Sequence, residues 1–130
     1  MILDTSFLID LMDGLPEAIE KLKQLGQLKE NCFITTPTIF ELWSGIVQSD
    51  KPEQEKGKVL DILESQLILN FDKPSAEEAG RIDGILIKEG TVIDPEDCMI
   101  AGIAKINNEK VLTGNIKHFQ KVPGIDLESY

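Results

Sequence analysis

Basic charge is what this sequence has least of for its size. Lysine and arginine together number 13 against 23 aspartates and glutamates, a formal net charge of −10. A protein that holds nucleic acid without discrimination needs a basic face, and this balance excludes one. It suits a basic partner or a pocket that gathers divalent cations. Thiol and imidazole groups are fewer still: one histidine and two cysteines, Cys32 and Cys98, with no CxxC pair and no Cys/His cluster. That excludes zinc ligation of the usual kind. Both cysteines sit among apolar residues and are expected to be buried, reduced thiols of a cytoplasmic protein. No apolar run approaches the roughly 20 residues that span a bilayer, so no membrane role is expected. Met1 leads directly into an apolar run, so no leader peptide is expected either. Repeats, low-complexity tracts and linkers are missing too. The 130 residues therefore read as one domain, 1–130, whose radius of gyration of about 14 Å leaves room for a real core.

What is present begins at the first residue. Met1-Ile2-Leu3 is an apolar run that stops at Asp4, and Thr5 and Ser6 supply caps for a helix carrying Phe7, Leu8, Ile9, Leu11 and Met12. If the run is a central strand of an α/β sheet, Asp4 stands at its carboxyl end, where such sheets bind ligands. Further short apolar segments follow at 32–35, 67–71, 110–113 and 125–127. Between them lie helical patterns: one with Ile19, Leu22, Leu25 and Leu28 inward, one with an Ile39/Leu42/Trp43/Ile46/Val47 stripe after a Thr36 cap, one over 52–65 with Val59, Leu60, Ile62 and Leu63 packed, one from Pro74 to Gly90, and one from Pro95 capped by Asp94. Strands alternating with helices predict an α/β protein, a parallel sheet covered on both faces.

Four places in this pattern carry chemistry, and each has a plainer reading. Asp97 heads a helix apolar almost all round (Cys98, Met99, Ile100, Ala101, Ile103, Ala104), so its charge must be paired, solvated or bound to a metal. It also falls where an acid completes a capping box with Asp94. Glu41 lies opposite the apolar stripe of its helix, on a face that is either solvated or the wall of a cleft. Asn115 follows the last core strand and either holds a water or phosphate or simply makes a turn. His118 beside Phe119 is a structural or surface histidine, or a catalytic one. With so little histidine and cysteine, general-base work falls to a carboxylate or to water on a metal.

Taken together these segments resemble a known family. Leu3-Asp4-Thr5-Ser6, Pro37-Thr38-Ile39-Phe40-Glu41-Leu42, Asp97-Cys98-Met99-Ile100-Ala101-Gly102-Ile103-Ala104, and Leu112-Thr113-Gly114-Asn115-Ile116-Lys117-His118-Phe119 followed by Val122-Pro123-Gly124-Ile125 are similar, in order, to the motifs of PIN-domain ribonucleases, most of all the VapC-type toxins of toxin–antitoxin pairs. The resemblance implies a three-layer α/β/α sandwich with a mainly parallel sheet, commonly a homodimer. It implies Mg²⁺- or Mn²⁺-dependent endoribonuclease activity on RNA, with tRNA and rRNA among the targets, and a cognate antitoxin that covers the site. It assigns Asp4, Asp97 and Glu41 as metal ligands, and Asp4, Glu41, Asp97 and Asn115 as the catalytic set. Thr5 and Ser6 hydroxyls are expected behind the ligands. Many relatives have a fourth acid where this chain has Asn115 or His118, so the site carries one negative charge fewer. RNA contacts are expected at Lys105, Lys110, Lys117 and Lys121, with Arg81 further out. Two rivals remain. A phosphohydrolase with an aspartate nucleophile would need a second aspartate where Ser6 stands. A catalytically weak PIN scaffold binding RNA or an antitoxin-like partner would fit the missing acid.

Overall fold

The computed structural model describes residues 1–130. Five short strands, β1 (Ile2–Leu3), β2 (Phe33–Thr35), β3 (Leu67–Leu69), β4 (Val111–Leu112) and β5 (Leu127–Glu128), form one parallel sheet in the order β3-β2-β1-β4-β5. Seven helices connect them: α1 (Thr5–Met12), α2 (Pro16–Gln27), α3 (Thr36–Gln48), α4 (Pro52–Glu64), α5 (Lys73–Lys88), α6 (Pro95–Asn107) and α7 (Ile116–Phe119). The expected α/β/α sandwich is what forms. Five of the six prolines sit in the first turn of a helix, α2 to α6, where the missing N–H is not needed and the fixed φ favours helix.

Two-residue strands suffice because successive side chains leave on opposite faces. Leu3 and Leu112 enter a core with Phe7 and Leu8 of α1, Ala18 and Leu25 of α2, Leu42 and Ile46 of α3 and Val59 of α4. Their neighbours Ile2 and Val111 pack on the other face against Ile100, Ile103 and Ala104 of α6 and Phe119 of α7. Each such fully buried aliphatic or aromatic side chain contributes roughly 1.5–3 kcal/mol. Helix α5 lies outside α6, through Ile82 and Leu86 against Cys98 and Ala101. Gly102 permits this close approach: a Cβ there would stand 2.6 Å from the Ser75 carbonyl oxygen and 2.8 Å from Ala79 Cβ. Asn108, left-handed at φ 53°, closes α6 so that the chain can enter β4.

The winding fixes where a site can be. From β1 the chain steps outward to β2 and β3, then returns over α5 and α6 to β4, on the other side of β1. The direction of winding reverses between β1 and β4, and the crevice beyond their carboxyl ends is the binding position of such sheets.

Several local expectations are corrected. The cap of α3 is Thr35, whose Oγ1 accepts from Thr38 N at 3.4 Å; Thr36 is the first helical residue and its Oγ1 instead accepts from Phe71 N at 2.9 Å. The buried stripe of α3 is narrower than its apolar pattern, because Thr38, Leu42 and Ile46 face the core while Trp43 and Val47 are exposed. Ile19 of α2 and Leu60 of α4 are also exposed, as is Leu28, which lies just past the end of α2 as its C-cap. Strand β5 pairs through Leu127 and Glu128 rather than from Ile125, and Cys32 is only half-buried.

Candidate active site

Asp4 ends β1 and sits in the crevice with 2% of its surface exposed. Its Oδ2 accepts from the Thr113 hydroxyl at 2.7 Å and from the Ser6 hydroxyl at 2.8 Å. Thr113 is the residue just after β4, so the two strand ends at the switch point are joined through this carboxylate. Ser6 Oγ also accepts from Gly114 N at 3.0 Å, and Thr113 Oγ1 from Asn115 N at 2.9 Å. The loop after β4 is thereby folded around Asp4.

Glu41 approaches from α3. It is half-buried, and the Thr5 hydroxyl donates to its Oε1 at 2.9 Å, beside Thr38. Burial pushes its carboxyl up to about 7; the Thr5 bond opposes this, while the charges of Asp4, Asp97 and Glu96 add to it. Asp97, in the first turn of α6, is 8% exposed. Burial, then the charges of Asp4 and Asp94, raise its carboxyl to about 6 against the opposing pull of His118. Asp4 thus acts on both other acids: β1, α3 and α6 bring the three carboxylates within electrostatic reach of one another.

The capping-box reading of Asp97 fails, because α6 has no side-chain cap bond at all. Its nearest counter-group is His118, whose Nδ1 lies 3.5 Å from Asp97 Oδ2 with half the imidazole exposed. One set of three acid or imidazole side chains has all its ligand atoms within 4.8 Å of one another: Asp94, Asp97 and His118. Asp94 was legible in the sequence only as a cap, and nothing in a linear pattern shows that α7 folds His118 back toward it. Asn115 heads α7 and is exposed; its backbone carbonyl accepts from His118 N and Phe119 N, and its side chain caps nothing. Thr113 was legible only as the last residue of a core strand, with no sign that its hydroxyl would meet Asp4.

Two further residues brace this cluster. Tyr130 Oη donates to Asp10 Oδ2 at 2.5 Å, its ring meets Phe7 edge-on at 4.9 Å, and its hydroxyl would lie 2.9 Å from a Cβ on Gly114. Of the lysines expected near RNA, Lys117 and Lys121 are exposed on and after α7, but Lys110 precedes β4 at the opposite end of the sheet. Lys105 and Arg81 are both engaged by Glu78.

The donor set fits a hard divalent cation. Asp97 accepts no hydrogen bond from a backbone amide or a hydroxyl, although it is nearly buried, and Asp97 and Glu41 are both raised, first by burial and then by neighbouring negative charge that a cation would offset. No helix of the protein is long and apolar enough to cross a membrane.

Comparison with known proteins agrees with this geometry. The PIN domain family model matches residues 1–125. The tRNA(fMet)-specific endonuclease VapC of Salmonella typhimurium is 31% identical over 98% of this chain and 96% of its own length. Ribonuclease VapC2 of Rickettsia felis is 30% identical over 98% of this chain and 96% of its own. In three dimensions the chain superposes on VapBC2 from Rickettsia felis bound to a DNA fragment from its promoter, with TM-score 0.89 and 28% identity over 99% of this chain and 97% of that one. DNA-bound VapBC from Salmonella typhimurium gives TM-score 0.89 and 30% identity over 98% and 96%. This chain therefore belongs to the PIN-domain family, alongside its VapC ribonucleases.

Proposed function

We propose that this protein is a divalent-metal-dependent endoribonuclease, the toxin of a toxin–antitoxin pair, with residues 1–130 as one catalytic unit. What supports this is Asp4, buried at the switch point of the sheet with its charge acting on both Glu41 and Asp97, in a chain whose full-length relatives are ribonucleases. Asp4 and Asp97 would hold Mg²⁺ or Mn²⁺, with Glu41 as third ligand. Asp94 and His118 flank Asp97 where the fourth acid of relatives is missing. Such a cation, when bound, supplies charge neutralisation of the phosphate and acidifies a water.

The chain's own groups do the rest. Thr113 and Ser6 fix the position of the Asp4 carboxylate, since each donates to the same oxygen. Glu41, held by the Thr5 hydroxyl at 2.9 Å, would orient the attacking water, as ligand to the cation or through that water. The exposed Asn115 amide and the ammonium groups of Lys117 and Lys121 stand beside the crevice, where they can contact phosphate oxygens. A relative named as a tRNA(fMet)-specific endonuclease and two VapBC structures support tRNA as substrate and a cognate antitoxin as partner, while a homodimer and rRNA rest on the family resemblance. Incubation of the purified protein with tRNA and rRNA in Mn²⁺ tests the reading. Cleavage is expected, and is expected to vanish on Asp4→Asn or Asp97→Asn with the circular dichroism unchanged. Cleavage that survives both substitutions sinks it.

A further inference from the structure

Next to the acids, at the same end of the sheet, lies a cavity of about 290 Å³ walled by Thr36, Pro37, Phe40, Phe71, Glu96 and Met99. Its walls come from residues just past strand ends: Thr36 to Phe40 open α3 after β2, Phe71 follows β3, and Glu96 stands in the first turn of α6 beside Asp97. Two of its wall residues are chain neighbours of the acids, Phe40 of Glu41 on α3 and Glu96 of Asp97 on α6, so the cavity adjoins the site. Phe40 precedes Glu41 and keeps 65% of its surface exposed, in a chain only 5% aromatic. The Thr36 hydroxyl oxygen accepts from Phe71 N and fixes that wall, and Pro37 is buried. The lining therefore offers two aromatic side chains and one carboxylate, with no lysine or arginine. Phosphate would be repelled there. A flat, uncharged ring with N–H donors on its edge would be held by stacking and by the acceptor.

We propose that this cavity is a nucleobase subsite: a base next to the scissile phosphate leaves the RNA stack, lies on Phe40 against Phe71, and turns its edge to Glu96. Guanine fits best, because its N1–H and N2–H groups present two adjacent donors to a carboxylate. Sequence-specific recognition of RNA commonly uses splayed bases in this manner. The inference rests on the ribonuclease reading and adds a substrate preference to it. The phosphate bound at the acids and the base bound beside them would be parts of one nucleotide segment, which accounts for an apolar cavity at the edge of an acidic site.

The test uses the unsubstituted full chain, with Ca²⁺ in place of Mn²⁺ so that phosphate is held with little cleavage, and labelled uridine-rich single-stranded RNA holding one guanine, one inosine or neither. Fluorescence anisotropy should show tightest binding to the guanine RNA. Phe40→Ala should weaken it about tenfold, in line with the usual loss on removing one stacked aromatic, and Phe40→Tyr should restore it. Glu96→Gln should erase the preference for guanine over inosine while leaving uridine-rich RNA bound as before. Equal affinity of Phe40→Ala and its parent for all three RNAs overturns the proposal. If Phe40→Ala instead dissociates a dimer on gel filtration with RNA affinity unchanged, a second copy is the occupant and the proposal fails. Cleavage by the unsubstituted protein in Mn²⁺, combined with no effect of Phe40→Ala, removes the subsite and leaves the nuclease standing. Failure of the unsubstituted protein either to bind or to cut RNA removes both.

Discussion

Without a cation, the site should weaken the fold as pH rises. Glu41 is moved from its ordinary 4.5 to about 7 and Asp97 from 3.8 to about 6. Both folded values lie above the unfolded ones, so the folded protein binds protons more tightly than the unfolded chain. Stability is then greatest below the unfolded values and is lost as pH climbs through about 4 to 7. At 1.36 kcal/mol per pH unit, each carboxyl alone would represent about 3 kcal/mol over the whole window. Glu41 is half-buried, so solvent screening halves its share, and the two groups repel one another, so their shares overlap. Between about pH 5 and about pH 8 the net loss should be about 2 kcal/mol. With an m-value of about 1.5–2 kcal/mol/M, that lowers the urea midpoint by about 1 M. The assay is urea denaturation followed by circular dichroism in EDTA at both pH values. Adding Mn²⁺ at the higher pH should recover the loss, because a ligand of the folded state stabilises it by mass action. Asp4→Asn should lessen the slope in part, since the charge of Asp4 adds to the burial that raises both neighbours. A midpoint that is flat or rises with pH in the Asp4-containing protein refutes the reasoning.

Other perturbations follow from single contacts. Thr113→Val removes the hydroxyl that donates to Asp4 at 2.7 Å and accepts from Asn115 N, so kcat for RNA cleavage should fall about 10–100-fold and urea denaturation should show a loss of about 1–3 kcal/mol. Gly102→Ala forces a methyl to within 2.6 Å of the Ser75 carbonyl and should cost about 1–3 kcal/mol in urea denaturation, with α5 parting from α6. Gly114→Ala meets the Tyr130 hydroxyl at 2.9 Å; Tyr130→Phe should relieve part of the damage, and a double-mutant cycle in stability should show coupling of about 1 kcal/mol.

Much of this was readable before any coordinates. The apolar run that ends at Asp4, the proline in the first turn of five helices and the nearly all-apolar α6 each state a local preference that the fold keeps, and in order they specify a doubly wound sheet. Leu42 and Ile46 were legible as core because the helical period places them together. Val47 and Leu28 were not legible as surface, because an apolar residue at the edge of a stripe looks the same whether or not another helix covers it. Charge carried the least positional information. Lys110 shares a segment with the site residues yet lies at the wrong end of β4, a strand of two residues that separates the two poles of the sheet. The hydroxyls of Ser6 and Thr113, and the meeting of Asp94 with His118, depend on how two loops close after the strands have paired. Side-chain type alone does not encode that.

The account stands on carboxylates from distant parts of the chain sharing one cation. Calorimetric titration of Mn²⁺ into the metal-free protein and into its Asp4→Asn and Asp97→Asn variants tests this directly. Saturable binding to the unsubstituted protein, lost in both variants while their circular dichroism stays the same, is the predicted result. Equal Mn²⁺ binding by all three proteins would contradict it.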